Sequence, residues 1–332
     1  MASLLEKDQI GKREDLADLI SLVDAHDCPV VSSAKKGSKP GNTLMQWQAS
    51  AYDAAVSSGT VDGTDVSGSD YENPGANRAI LSNYVQIHRR SIRVSPLSVE
   101  ISNVAGLKDE LAAGIANKLV ELKRDMEKSY LSANDAQADA GGSTPYLTKG
   151  LATWISTAGG SVLQVPAAFR TPTASIETTA TTADITDTTV QEVLASIYSE
   201  TGSIKNFTMP LGRTLKRAFT DRLTGTRSVT DSNGIAATQI RTFSPQTGKK
   251  VTLACDIFEG DFGTVALVPD NFVPAQTDGY VLDMDGIEIR YGKLPEVKEL
   301  PDSGGGPIRM IEAVAALIVH NPLAHGKFDL AS

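Results

Sequence analysis

Residues 103–131 read NVAGLKDELAAGIANKLVELKRDMEKSYL, and the fold turns on this stretch. Val104, Leu107, Leu111, Ile115, Leu119, Leu122, Met126 and Tyr130 recur at steps of three and four, the repeat of one helix face. Ser102 or Asn103 can cap the start through a side-chain oxygen. Asp109 and Glu110 near the beginning, and Lys123, Arg124 and Lys128 near the end, complement the helix dipole. No proline interrupts the pattern and Gly114 is its one weak residue, so the spacing predicts a rod about 40 Å long at the usual rise per residue. Its apolar stripe, Leu119 and Leu122 included, should face a sheet, with Lys123 off that stripe.

Bulk properties narrow the function. A chain of 332 residues can bury a large core, in two domains or one discontinuous one. No apolar run of membrane-spanning length occurs, and charges in MASLLEKDQIGKRED break the apolar core that a signal peptide needs. Two cysteines, Cys28 and Cys255, suit a reducing cytosol and cannot build a disulfide framework. A net charge of −9 argues against a surface made to grip nucleic acid. The four histidines have no metal-ligand spacing, so neither a metal nor a cofactor is expected.

Outward from the rod, residues 11–27 pattern as a short amphipathic helix with Leu16, Leu19, Ile20 and Val23 on one face. Pro29 is expected to bar further helix, and KKGSKPG (35–41) reads as loop. TLMQWQASAY alternates as a strand, with YVQIHRRSIRVSPLSVEI as its expected return partner. Between them, residues 50–80 form a tip too poor in apolar residues for a compact connection. Arg78, His88, Arg89, Arg90 and Arg93 gather positive charge along the returning arm. That stripe could be a phosphate site, a solvated face or a partner-facing face.

The order of parts resembles the HK97-type phage capsid subunit, which begins with a charged arm, a long two-stranded hairpin and one long helix. GKREDLADLISLVDAHDCPVVSS, NTLMQWQ, NYVQIHRRSIRVS and ELAAGIANKLVELKRDMEKSYL are similar to the successive blocks of SU10-type major head proteins. These blocks cover the first 130 residues in order. The resemblance implies an α+β, HK97-like fold. Its expected parts are an N-terminal arm (1–41), an extended loop (42–100), a peripheral domain (101–187) with the spine helix 103–131, an axial domain (188–278) and a return to the peripheral domain (279–332).

It also implies a structural role without catalysis: self-assembly into pentamers and hexamers of an icosahedral shell around packaged DNA, without sequence-specific contact. Scaffolding, portal and decoration proteins would be further partners. The location would be the virion, preceded by the host cytoplasm, with no membrane. Candidate inter-subunit contacts are Arg13, Trp47, Arg78, Arg89, Arg90, Arg93 and Lys123. Some shells of this fold join a lysine of the extended loop to a neighbour's asparagine, yet no lysine stands here between Lys39 and Lys108. The arm motif starts at Arg13, which leaves no room ahead of it for a removable scaffolding segment. A shell of the same fold with protein cargo, and a soluble enzyme or ligand-binding protein with a lid hairpin, are the alternatives.

Beyond the helix, Trp154 in GLATWIS is expected in the core, and residues 171–189 are Thr-rich loop. Val190, Val193, Leu194 and Ile197 mark a helix ending at Gly202, followed by the strand NFTMPL and the helix GRTLKRAFTDRL. KKVTLACDIFEG and GTVALVPDNFV read as strands, YVLDMDGIEIRYG as a hairpin about Asp285-Gly286, and PDSGGGP as a break before a long apolar strand. Asp261-Phe262-Gly263 lacks the companion motifs of a kinase. Asp283 and Asp285 lack a full calcium loop, Gly304–Gly306 is no phosphate loop, and no G-x-S-x-G occurs.

Overall fold

A computed structural model describes residues 27–68, 73, 75, 77–101, 109–178, 185, 187–223, 228–230, 236–238 and 256–330. Arg13 and nearly all of the helix expected over 11–27 lie outside them. In chain order the elements begin with α1 (Pro29–Ser33), β1 (Lys35–Gly37), β2 (Leu44–Ser50), β3 (Arg78–Tyr84), β4 (Gln86–Arg93), α2 (Pro96–Ile101), α3 (Glu110–Leu131) and α4 (Leu151–Trp154). Next come β5 (Ile176–Glu177), α5 (Asp187–Thr201), β6 (Lys205–Leu211), α6 (Arg213–Leu223), β7 (Ser228–Thr230) and β8 (Ala236–Thr238). The chain closes with β9 (Ile257–Gly260), β10 (Gly263–Pro269), β11 (Asp278–Val281), β12 (Ile287–Leu300), β13 (Ile308–Val319) and β14 (Gly326–Asp329).

Two cores result. In the first, the sheet β1-β12-β13-β4 carries α3 on one face, and Leu122, Met126 and Tyr130 meet Ile289, Ile311, Ala313 and Leu317. On its other face, Ala316 and Ile318 of β13 meet Met45 and Val85, which seats the β2–β3 ribbon on the body. The second core is the sheet β5-β14-β11-β6-β10-β9, against which α5 and α6 bury Val190, Val193, Leu194, Ile197, Leu215 and Phe219. Here the expected helix, strand and helix appear with those faces inward, and Gly202 sits at φ 65° just past α5. Strand 257–260 keeps only the end of KKVTLACDIFEG, whose residues 249–255 lie outside the described ones.

Several expectations are corrected. The spine helix starts at Glu110, not 103, because Asp109 is extended (φ −147°, ψ 107°) and its carboxylate accepts the Leu111 and Ala112 amides at 2.9 and 3.1 Å. Residues 102–108, with Ser102 and Asn103, lie outside the described residues. The rod has 22 residues, about 33 Å of helix. Leu119 is 37 % exposed while Leu122 is 1 % exposed, since the body's packing closes over the C-terminal half of the stripe.

The return strand of the ribbon is β3, in register from Leu44↔Tyr84 to Ser50↔Arg78, so part of the expected tip is strand. Leu81 and Asn83 are its anchors: Leu81 joins the core, and the buried Asn83 amide donates to Thr148 Oγ1 and the Leu317 carbonyl. β4 instead pairs with β13, from Ile308↔Arg93 to Ala315↔Gln86. Residues 96–101 are helical because Pro96 suits a first turn and Ser95 Oγ accepts the Ser98 amide. Pro29 likewise starts α1 rather than barring helix, and β1 turns part of KKGSKPG into a strand parallel to β12.

Asp285-Gly286 lies in a 3-10 turn, not a hairpin, since Asp283 accepts the Asp285 amide and the flanking strands join different sheets. PDSGGGP is itself the tip of the β12–β13 hairpin, where Asp302 Oδ1 gathers the amides of Gly304, Gly305 and Gly306. Gly306 needs its φ of 103° there. Of residues 279–332, β12 and β13 lie in the four-stranded sheet, but β14 lies in the six-stranded one. That stretch is therefore shared between the two bodies instead of returning whole to the first.

Candidate assembly interface

The ribbon's far end is the least supported part of the described chain. Every residue from 51 to 68 is exposed, among them Tyr52 (102 %) and Val56 (77 %), together with Val61 and Val66. Between Lys39 and Arg78 the chain has no cation but carries Asp53, Asp62, Asp65, Asp70 and Glu72. Among the described residues, β2 and β3 pair only with each other, so each ribbon strand has one open edge. Tyr52, Val56, Val61 and Val66 thus stand in solvent on an acidic loop.

Trp47, half-buried, packs the ribbon against the body. Its ring packs 5.6 Å from Trp154 and 6.4 Å from His320. Arg78 stands exposed at the far end of β3. The other arginines fall into ion pairs within the chain. Arg89 crosses to Glu312 of β13 at 2.6 Å, and that contact holds the Glu312 carboxyl below its ordinary range. Arg90 grips Asp125 of α3 with two bonds of 2.5 Å, and Glu121 lies 3.7 Å away. Arg93 donates to the Gly305 carbonyl at 3.1 Å and faces Asp302 at 3.7 Å. Lys123 reaches Ser32 Oγ at 2.8 Å. Three of the arginines thus fasten β4 to its neighbours, and the stripe is far less positive than its sequence reads.

A surface cleft of about 670 Å³ separates α3 from residues 271–276, lined by Arg90, Arg124, Asp125, Lys128, Phe272 and Pro274. Arg124 lies over the Phe272 ring at 5.6 Å. A second, more apolar groove runs beside α1, between Leu119, Leu122 and Met126 of α3 and Tyr291, Leu294 and Pro295 of β12. Sequence reading missed both, because each joins segments more than 100 residues apart.

The buried titratable groups are built into packing. Burial pushes His88 and His325 down to about 4, and His325 Nδ1 accepts the Asp283 amide at 3.1 Å. Lys149, fully buried and held down to about 8 by burial, donates to the carbonyls of Gly159 and Leu163 and stands 4.8 Å over Trp154. Asp283 pairs with Lys205 at 2.5 Å. Among the described residues no group of three His, Cys, Asp or Glu side chains could hold a metal ion, and no helix is long and apolar enough to cross a membrane.

Comparison with known proteins places this geometry. The model of the SU10 major capsid protein family matches residues 5–331. The major capsid protein of Escherichia phage Phieco32 is 35 % identical over 128 residues, 38 % of this chain and 34 % of that protein, so the match spans about a third of the relative's length. Among solved structures, the capsid asymmetric unit of cyanophage A-1(L) superimposes at a TM-score of 0.66 with 12 % identity, covering 97 % of this chain and 98 % of the other. Gordonia phage Cozz gives 0.58 with 14 % identity over 97 % and 92 %. The capsid of the native GTA particle gives 0.56 with 12 % identity over 97 % and 96 %. These likenesses show the HK97-like α+β fold.

Proposed function

Because the chain belongs to the SU10 major capsid protein family, we propose that it is the structural subunit of a phage head, closing by self-assembly into an icosahedral shell around DNA. The observation that carries this reading is the acidic loop 51–68, wholly exposed and set with Tyr52, Val56, Val61 and Val66 on a ribbon with open edges. A neighbouring copy would bury those side chains. Repetition around closed symmetry would then multiply modest contacts into a stable shell.

In this reading the chain is not an enzyme and works through its surfaces. Arg78 and the side chains of the loop are the contacts offered to a neighbour, while Arg89, Arg90, Arg93 and Lys123 hold the receiving face in shape. Arg13 would act from the N-terminal arm. The first core would be the peripheral domain and the second the axial domain, whose copies meet as pentamers and hexamers. Scaffolding, portal and decoration proteins would join during assembly in the host cytoplasm. Negative net charge would keep the packaged DNA from clinging to the wall. Deleting residues 53–66 tests the reading: the subunit should stay folded, by an unchanged melting transition, and shells should be lost. Shells formed by the deletion at wild-type yield would remove the loop's contact role, and an undeleted chain that forms no shell with its head proteins would overturn the reading.

A further inference from the structure

Glu127 plays no part in the surfaces above, yet it stands where three segments meet. It lies on the inward face of α3 with 0 % exposure, and its Oε1 and Oε2 accept the Val30 and Val31 amides at 2.7 and 2.8 Å. Those amides open α1 and have no partner within so short a helix. From the end of β10, Asp270 (4 % exposed) comes into hydrogen-bonding reach of Glu127. Asp270 Oδ1 accepts the Phe272 amide at 2.8 Å, while its buried Oδ2 has no donor N–H or hydroxyl among the described residues.

A buried carboxylate oxygen without a donor is costly, and two touching carboxyl groups cannot both ionise out of water. One proton resolves both problems, since a protonated Glu127 can donate to Asp270 Oδ2. We propose that Glu127 and Asp270 share a proton in a carboxyl–carboxylate hydrogen bond, forming a pH-sensitive latch that fastens α1 and the end of β10 to α3. The electrostatics agree: burial foremost, with the Asp270 charge adding to it, pushes Glu127 up to about 8 although two amide bonds pull the other way. Asp270 is raised too, again mainly by burial.

Among the described residues, the groups facing the latch are Cys28 ahead of α1, Lys123, Arg124 and Tyr130 of α3, and Tyr291 of β12 beside Tyr130. Burial pushes Cys28 up to about 11 and Tyr130 and Tyr291 above their ordinary values, so none of these three releases a proton in the latch's range. Freed into water, Glu127 would titrate at its ordinary 4.5. The latched state therefore holds a proton that the released state gives up between those two values. Closure is firmest at the acid end, weakens as pH rises towards about 8, and is constant above it. One proton amounts to about tenfold per pH unit.

Cys28, 2 % exposed at the foot of α1, reports the latch locally. In the full-length dispersed chain carrying Cys255→Ser, the labelling rate of Cys28 by a dithiodipyridine would be measured against the denatured chain at each pH. Protection should fall about tenfold per unit between about pH 5 and pH 8 and then level off. Glu127→Gln, whose one carbonyl oxygen can serve only one of the Val30 and Val31 amides while its NH2 can donate to Asp270, has no proton to release at this position and should stay flat. Protection that is flat in the wild type, or that falls in parallel in the variant, would overturn the latch. Should the variant not fold, a carbon-13 titration of the wild-type Glu127 carboxyl decides. A midpoint near 8 supports the shared proton, and one below about 6 removes it. None of these readouts requires a shell, so they stand apart from the proposed function.

Discussion

Trp47 of the ribbon packs on Trp154 of the body, ring centroids 5.6 Å apart and planes tilted by 40°. This contact, with Met45 and Val85 on Ala316 and Ile318 and with the anchors Leu81 and Asn83, holds the two-stranded arm to the body. Trp154 is fully enclosed, and Trp154→Ala should cost about 3–5 kcal/mol. Half-buried Trp47→Ala should cost less and loosen the ribbon first. These are the chain's two tryptophans, so the fluorescence of each single-Trp variant reports one side of the seam during denaturation.

Leu122 and Leu119 should separate folding from assembly. Leu122→Ala opens a cavity in the first core and should cost about 2–5 kcal/mol. Leu119→Ala, on the exposed half of the stripe, should cost less than about 1 kcal/mol. Its effect should appear instead in shell yield, because it lines the groove between α3 and β12. Thermal melts of dispersed subunits and shell yields for both variants check this.

Lys149 should leave a signature at alkaline pH. Burial holds its pKa down to about 8 in the fold, against an ordinary 10.5. Between those values the unfolded chain binds the extra proton, so this group's contribution to stability rises with pH. Below about 8 the contribution is constant. Subtracting the stability curve of Lys149→Met from that of the wild type by urea denaturation should show that rise. The slope is opposite in sign to the one Glu127 produces in the acid-to-neutral range, so the two can be told apart.

The extended loop has no lysine to offer a neighbour. Shells heated in denaturant under reducing conditions should therefore release single chains of 35.1 kDa on a gel. A ladder of larger species would show a covalent link of another chemistry.

How much of this was legible in the sequence differs by element. The helices of the second core and the C-terminal half of α3 could be read because their apolar spacing is regular and tertiary packing agrees with it. The start of α3 could not, since Asp109 competes as a cap with Ser102 and Asn103, and spacing alone does not rank them. The ribbon partner was misplaced because β4 alternates as well as β3 does. What separates the two is Asn83, whose amide finds its partners only across the fold at Thr148 and Leu317. Arg89, Arg90 and Arg93 could be picked out, but not their pairing, because Glu312, Asp125 and Asp302 are distant in sequence.

In the proposed shell, the exposed loop 51–68 is covered by another copy of the chain. Electron cryo-microscopy of the full-length chain, produced alone and together with its co-encoded head proteins, tests this most directly. The account predicts closed shells of pentamers and hexamers in which residues 51–68 lie over an adjacent subunit, with Tyr52 and Val56 out of solvent. A chain that stays monomeric under both conditions, or shells in which that loop touches nothing, would contradict it.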